Sequence, residues 1–214
     1  MIRLSVLRRP ATALALGGGL LAVVSCDDPA TPPPGAGDPE NVSRVTVTLT
    51  PVGGGAAVVS FIVDPDGTTL PDPPAAPSAT LTLAKGVTYN GTITLLNDID
   101  PNNVVDINDE VEEEGDFHRF FFTITADPTT ADAIGLPTFD ASRGITIPIA
   151  SLNTDNQSPA QPLGTTFQVV VDGAAPTGTT TLNIQLHHFE SDKGDGLGTV
   201  FDTDLNVNFP VAVQ

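Results

Sequence analysis

The sequence predicts an all-β protein: a single antiparallel β-sandwich, Ig-like or jelly-roll-like, of about nine strands. Three observations predict it. Apolar and polar residues alternate over short segments, as in strands with one face buried. Those segments are rich in Val, Ile, Thr and Phe, and Gly, Pro, Asn and Asp separate them. No long segment places apolar residues at helical spacing. Residues 43–214 suffice for one sandwich; two small sandwiches divided within residues 127–140 are the alternative.

The strands follow in order. Residues 44–50 alternate cleanly, with Val45, Val47 and Leu49 on one face, until Pro51 and the Gly53-Gly54-Gly55 run. Residues 57–63 form a second strand and end at an Asp-Pro-Asp-Gly turn. A proline-rich loop, 70–77, leads to a strand at 79–83. Residues 87–96 place Val87, Tyr89, Ile93 and Leu95 on one side. After the polar loop 97–108 and an acidic run, residues 119–126 set Phe120, Phe122 and Ile124 against Phe121, Thr123 and Thr125. One helical turn is expected at 129–134. Residues 145–149 form a short strand that Pro148 confines to an edge. Strands at 166–171, 180–189 and 204–213 complete the set, and Pro210 suggests an edge or a strand end.

The N-terminus carries an address. Arg3, Arg8 and Arg9 precede an apolar run at 11–24, too short to span a bilayer and suited to a secretory leader. The run ends in Val23-Val24-Ser25-Cys26, which resembles the lipobox of bacterial lipoproteins, and Cys26 is the chain's only cysteine. The resemblance implies cleavage after residue 25 and acylation of Cys26, palmitate-type chains included. Such an anchor holds a protein to a membrane without spanning it. Residues 26–42 contain five prolines and no periodicity, and read as a disordered tether. The expected setting is the cell envelope, outer membrane or cell surface before inner membrane.

Removing the leader takes three of the eight basic residues and no acid, so the formal charge moves from −18 to −21. That balance repels phosphate and argues against nucleic-acid partners. It favours cations or basic partners; the membrane is reached through the Cys26 lipid, and a protein or glycan partner is left unspecified.

Two clusters are candidate cation sites. Asp98, Asp100, Asn102, Asp106 and Asp109 stand at relative positions one, three, five, nine and twelve, which is EF-hand-like spacing for calcium. Asn103 replaces the usual glycine, Asp109 the usual glutamate, and Asx-rich turns share this composition. The second cluster follows from parity. His118 continues the core face of Phe120 and Phe122, and His188 continues that of Leu182, Ile184 and Leu186 on the 180–189 strand. If those strands are antiparallel neighbours, the two histidines meet at one rim with Glu114 or Asp116 and Glu190, a donor set for zinc or copper. Rim histidines bonded to carboxylates are the simpler alternative. His187 points to the other face, with Asn183 and Gln185. No nucleophile elbow, phosphate loop or His-Glu-x-x-His motif occurs.

The run from Glu110 to Phe122, EVEEEGDFHRFFF, resembles a group of short lipoproteins of Bacteroidota-type bacteria. So do Pro162-Leu163-Gly164 before a strand, the strand ending Leu186-His187-His188, and the final strand ending Phe209-Pro210-Val211. Chains of that group carry Glu-His-Gln where this one has Phe117-His118-Arg119, and one histidine after a basic residue where this one has two. The resemblance implies a surface or periplasmic lipoprotein and no particular reaction. The expected function is a membrane-anchored envelope lipoprotein with a binding or structural role, not an enzyme. The alternatives are a divalent-cation module (calcium before zinc or copper) and an extracytoplasmic hydrolase.

Overall fold

The computed structural model describes residues 41–64, 76–125, 140–194 and 201–214. The chain divides into units Met1–Pro34 and Gly35–Gln214, and every described residue belongs to the second. The leader, Cys26, all but the end of the tether, the Asp66-Gly67 turn, most of the 70–77 loop and the turn expected at 129–134 lie outside the described residues.

The described strands are β1 (Arg44–Pro51), β2 (Val58–Val63), β3 (Leu81–Leu83), β4 (Thr88–Asn97), β5 (Val105–Asp106), β6 (His118–Thr125), β7 (Ile145–Thr146), β8 (Thr166–Val171), β9 (Gly178–Phe189) and β10 (Phe201–Val213), with a short helix α1 (Ile107–Glu113). One sheet runs β2-β1-β4-β8-β7 with β5 added beside β4; the other runs β3-β10-β9-β6. Inward side chains of both sheets form one apolar cluster. Val45, Val47 and Leu49 from β1 meet Ile184, Leu186, Val207 and Phe209 from the second sheet there, all fully buried. Each such side chain contributes about 1.5–3 kcal/mol relative to exposure.

The structure corrects the sequence reading in four places. The sandwich is not wholly antiparallel, because β3 pairs parallel to β10, Leu81 with Val211 to Leu83 with Val213. Ser78 N bonds to Phe61 O of β2, and from there the described chain enters the other sheet running in the direction of β10. Pro210 marks no edge: β10 is paired on both sides and continues to Val213. The proline falls one residue before β3 begins to pair, where no β3 partner needs its missing N–H. The expected strand at 145–149 stops at Thr146, and Pro148 caps a 3-10 helix, Ile149–Ser151. The acidic run is partly helical, and its helix positions the site described next.

Gly91 shows how close the inner packing is. It lies opposite Phe167, and a Cβ there would stand 2.5 Å from the ring, which itself packs on Phe122 at 4.5 Å.

Candidate metal centre

Antiparallel pairing of β6 with β9 sets His118 directly opposite His188. Their ring centroids are 4.4 Å apart and the planes are inclined by 56°. Both rings continue the inward face of their strands. His118 is fully buried and His188 is 9% exposed, so any opening toward solvent lies on the His188 side.

Helix α1 delivers the third group. Asp106 caps it, its carboxylate accepting from Asn108 N at 3.0 Å. Asp109 and Glu110 occupy the first turn, where the helix dipole favours acids. Ile107 and Val111, one turn apart, are buried against the core. Asn108 then imitates a strand neighbour: its Oδ1 accepts from Leu95 N at 2.6 Å and its Nδ2 donates to Ile93 O at 3.1 Å. These bonds fix the helix to β4 and leave Glu114 at its C-cap, 5% exposed.

From there the chain turns at once into β6. The carbonyl of Glu114 accepts from Phe117 N at 2.8 Å and lies 3.2 Å from His118 Nδ1. A carbonyl can only accept, so this hydrogen bond puts a proton on His118 Nδ1 and leaves Nε2 as the nitrogen through which the ring would bind a metal. That is the tautomer of a metal-ligating histidine oriented by a backbone carbonyl. The ligand atoms of Glu114, His118 and His188 all lie within 4.8 Å of one another. Together they form a buried cluster that can hold a metal ion.

Asp204 stands beside the cluster. Its Oδ2 is 3.8 Å from His118 Nε2 and 3.7 Å from His188 Nδ1, and its side chain is 3% exposed. The residue sits at a bulge in β10, between Thr203 paired with His187 and Leu205 paired with Leu186. Sequence reasoning missed it. The only available signal was an aspartate opening a final strand whose alternation sets Leu205, Val207 and Phe209 inward, and alternation gives no warning of an inserted residue.

A buried ion pair braces the same turn. Lys193 Nζ lies 2.7 Å from Asp155 Oδ2, and also donates to the carbonyl of Gly115. Asp155 Oδ1 accepts from the amides of Gln161 and Gln157. Burial would raise the Asp155 carboxyl, but these amides and Lys193 outweigh it and hold the group below its ordinary range. Burial lowers the Lys193 ammonium, and Asp155 offsets part of that. Gly115 has no room for a side chain, since a Cβ would stand 2.9 Å from Asp155 Cβ.

The other expected ligands do not join the cluster. Asp98 is engaged by Ser43 Oγ and Arg44 Nε, both at 2.6 Å, and these bonds, Ser43 first, hold its carboxyl below the ordinary range. Asp100 closes an Asx turn on Asn102 N at 2.9 Å, Asp106 is occupied as the helix cap, and Asp109 is exposed on α1. Residues 98–109 thus form a turn, a two-residue strand and the start of a helix. Glu190 is exposed; Asp116 is partly buried, and its carbonyl accepts from Lys193 N. Nor does the Glu/His/His cluster specifically favour calcium, which takes six to eight oxygen ligands, whereas two donors here are nitrogens.

His187 shares the outward face with Asn183 and Gln185 as expected, but it is 1% exposed, not solvated. It stacks on Phe201 at 3.9 Å and packs on Phe121 at 4.5 Å. Burial first, and the Arg119 charge second, lower its pKa to about 4. A polar ladder leads away from it: His187 Nε2 lies 2.9 Å from Gln185 Oε1, Gln185 Nε2 donates to Asn183 Oδ1, and Asn183 Nδ2 donates to Asn206 and Asn208.

A groove of about 560 Å³ lies on the other sheet, with Asn90, Thr92, Ser151, Thr166 and Gln168 among its lining. It carries no ionisable side chain. Among the described residues no helix is long and apolar enough to cross a membrane. No protein-family model, curated protein or solved structure matches the chain.

Proposed function

We propose that this protein is a membrane-anchored lipoprotein of the cell envelope whose β-sandwich binds a divalent transition metal, zinc before copper, in a binding or structural role. The observation that carries the metal reading is the convergence of Glu114, His118 and His188 in a buried site, with His118 held in its ligating tautomer. Imidazole and carboxylate suit zinc, and the site supplies no thiolate for copper(I). An ion there ties α1 to β6 and β9, so binding is coupled to the folded state.

Zinc added to chelator-stripped full-length chain is therefore expected to stabilise it, by about 2.7 kcal/mol at a free concentration one hundred times the dissociation constant. Calcium at the same concentration is expected to leave the unfolding midpoint unchanged. A midpoint indifferent to zinc, copper and cobalt, with no metal retained through purification, would end this reading.

The anchoring reading is supported by Val23-Val24-Ser25-Cys26, the proline-rich stretch after it and the acidic composition. In cells fed a labelled fatty acid, the wild-type chain is expected to take up label and sediment with membranes. Cys26→Ser is expected to lose both. A wild-type chain recovered unlabelled and unprocessed would remove the anchor from the proposal.

A further inference from the structure

We infer that Asp204 is a ligand of the same ion, so that the site is a closed set of two imidazoles and two carboxylates, built to hold zinc structurally. This rests on the metal-binding reading above and specifies the kind of site.

Distance is the first argument. Asp204 Oδ2 is 3.8 Å from His118 Nε2 and 3.7 Å from His188 Nδ1, too long for a direct hydrogen bond with either. Two ligands bound at about 2.0–2.1 Å to a tetrahedral zinc lie roughly 3.4 Å apart. A contraction of a few tenths of an ångström turns each of these separations into one edge of a coordination tetrahedron. The His118 orientation points the same way: with Nδ1 turned to the Glu114 carbonyl, Nε2 faces a carboxylate oxygen.

The bulge is the second argument. In an uninterrupted ladder residue 204 would pair with Leu186 and fill an inward apolar position. The register shift gives that position to Leu205, which is fully buried, and releases Asp204 toward the histidine pair. One inserted residue thus satisfies both the core and the carboxylate, which is how bulges re-aim side chains.

The donor set is the third. Glu114 and Asp204 bring two carboxylates to the two imidazoles, and these are oxygen and nitrogen donors of the kind zinc takes. With four protein donors no position remains for a water or substrate, and a shell closed in this way marks a structural site, not a catalytic one.

The experiment loads the full chain with cobalt(II), whose visible bands report coordination, and then titrates azide. The expected result is an intense tetrahedral spectrum that azide leaves unchanged. Asp204→Asn is expected to become azide-sensitive and to lose more zinc affinity than the roughly 10–100-fold that follows loss of an outer-shell partner. Wild-type bands that shift with azide would mean an open position and overturn the inference while leaving the metal reading intact. So would an Asp204→Asn chain that keeps wild-type affinity and spectrum. If Asp204→Asn does not fold, the wild-type azide titration decides alone. A chain that binds neither cobalt nor zinc would remove the underlying reading, and this inference with it.

Discussion

Replacing Lys193 with methionine is expected to cost about 3–5 kcal/mol of folding stability, the usual cost of breaking a buried ion pair from one side. Lys193 is 1% exposed and Asp155 is 6% exposed. Methionine matches the stem but leaves the Asp155 carboxylate facing an apolar group, and the carbonyl of Gly115 without its ammonium donor. The two amide bonds from Gln157 and Gln161 remain, and they favour the ionised carboxylate that has lost its counter-charge. Denaturant unfolding of the two chains in chelator measures the difference. The double replacement Lys193→Met with Asp155→Leu is expected to regain part of it, because an apolar pair no longer strands a charge. The effect also reaches the metal centre. Lys193 holds the turn at Gly115 and Asp116, which lies between Glu114 and His118. Lys193→Met is therefore expected to weaken zinc binding as well as folding. A methionine chain as stable as wild type would show the pair to be a solvated contact without structural consequence.

That pair illustrates what alternation leaves unread. Val45, Val47 and Leu49, or Leu182, Ile184 and Leu186, announce their buried face because a strand has a period of two and a sandwich buries one side. The same count places His118 and His188 on inward faces, and antiparallel neighbours then bring the start of one strand to the end of the other. Asp155 and Lys193 lie in irregular segments, where no period relates position to burial, and their meeting is fixed by the packing of distant loops. Helix α1 escapes such a count because seven residues give only one repeat of its apolar spacing, Ile107 to Val111, within a run dominated by acids. The parallel arrival of β3 is a choice of direction between sheets that pairing preferences within a strand do not encode. For His187, parity gives the correct face but not the environment. It fixes which way a side chain points, and what lies over that face is a tertiary matter.

His187 also gives the protein an expected acid response with a definite sign. Its pKa in the folded chain is lowered to about 4, against about 6.5 when unfolded. Between those values the unfolded chain binds the extra proton and the folded chain does not. This contribution to stability is therefore complete above about pH 6.5, falls as the pH drops toward 4, and is exhausted below it. The size is on the order of 3 kcal/mol. The geometry explains why the proton is refused. Phe201 and Phe121 pack on the ring, and the Arg119 guanidinium adds a like charge to any imidazolium. Gln185 Nε2 already donates to Asn183, so its Oε1 accepts from His187 Nε2, which leaves Nδ1 as the unprotonated nitrogen. Protonation would place a second donor against an apolar wall, with no acceptor for it among the described residues. Unfolding of wild type and of His187→Gln across pH 4 to 7, both in chelator, separates this residue from the others. The rest of the sequence is common to both chains, so the difference between the two curves is the quantity to read. The variant is expected to start less stable at pH 7, having lost the ring stack, and then to lose markedly less on acidification. Parallel curves would mean that His187 takes up its proton in the folded chain as readily as in the unfolded one, and that its burial between the two rings does not control its charge.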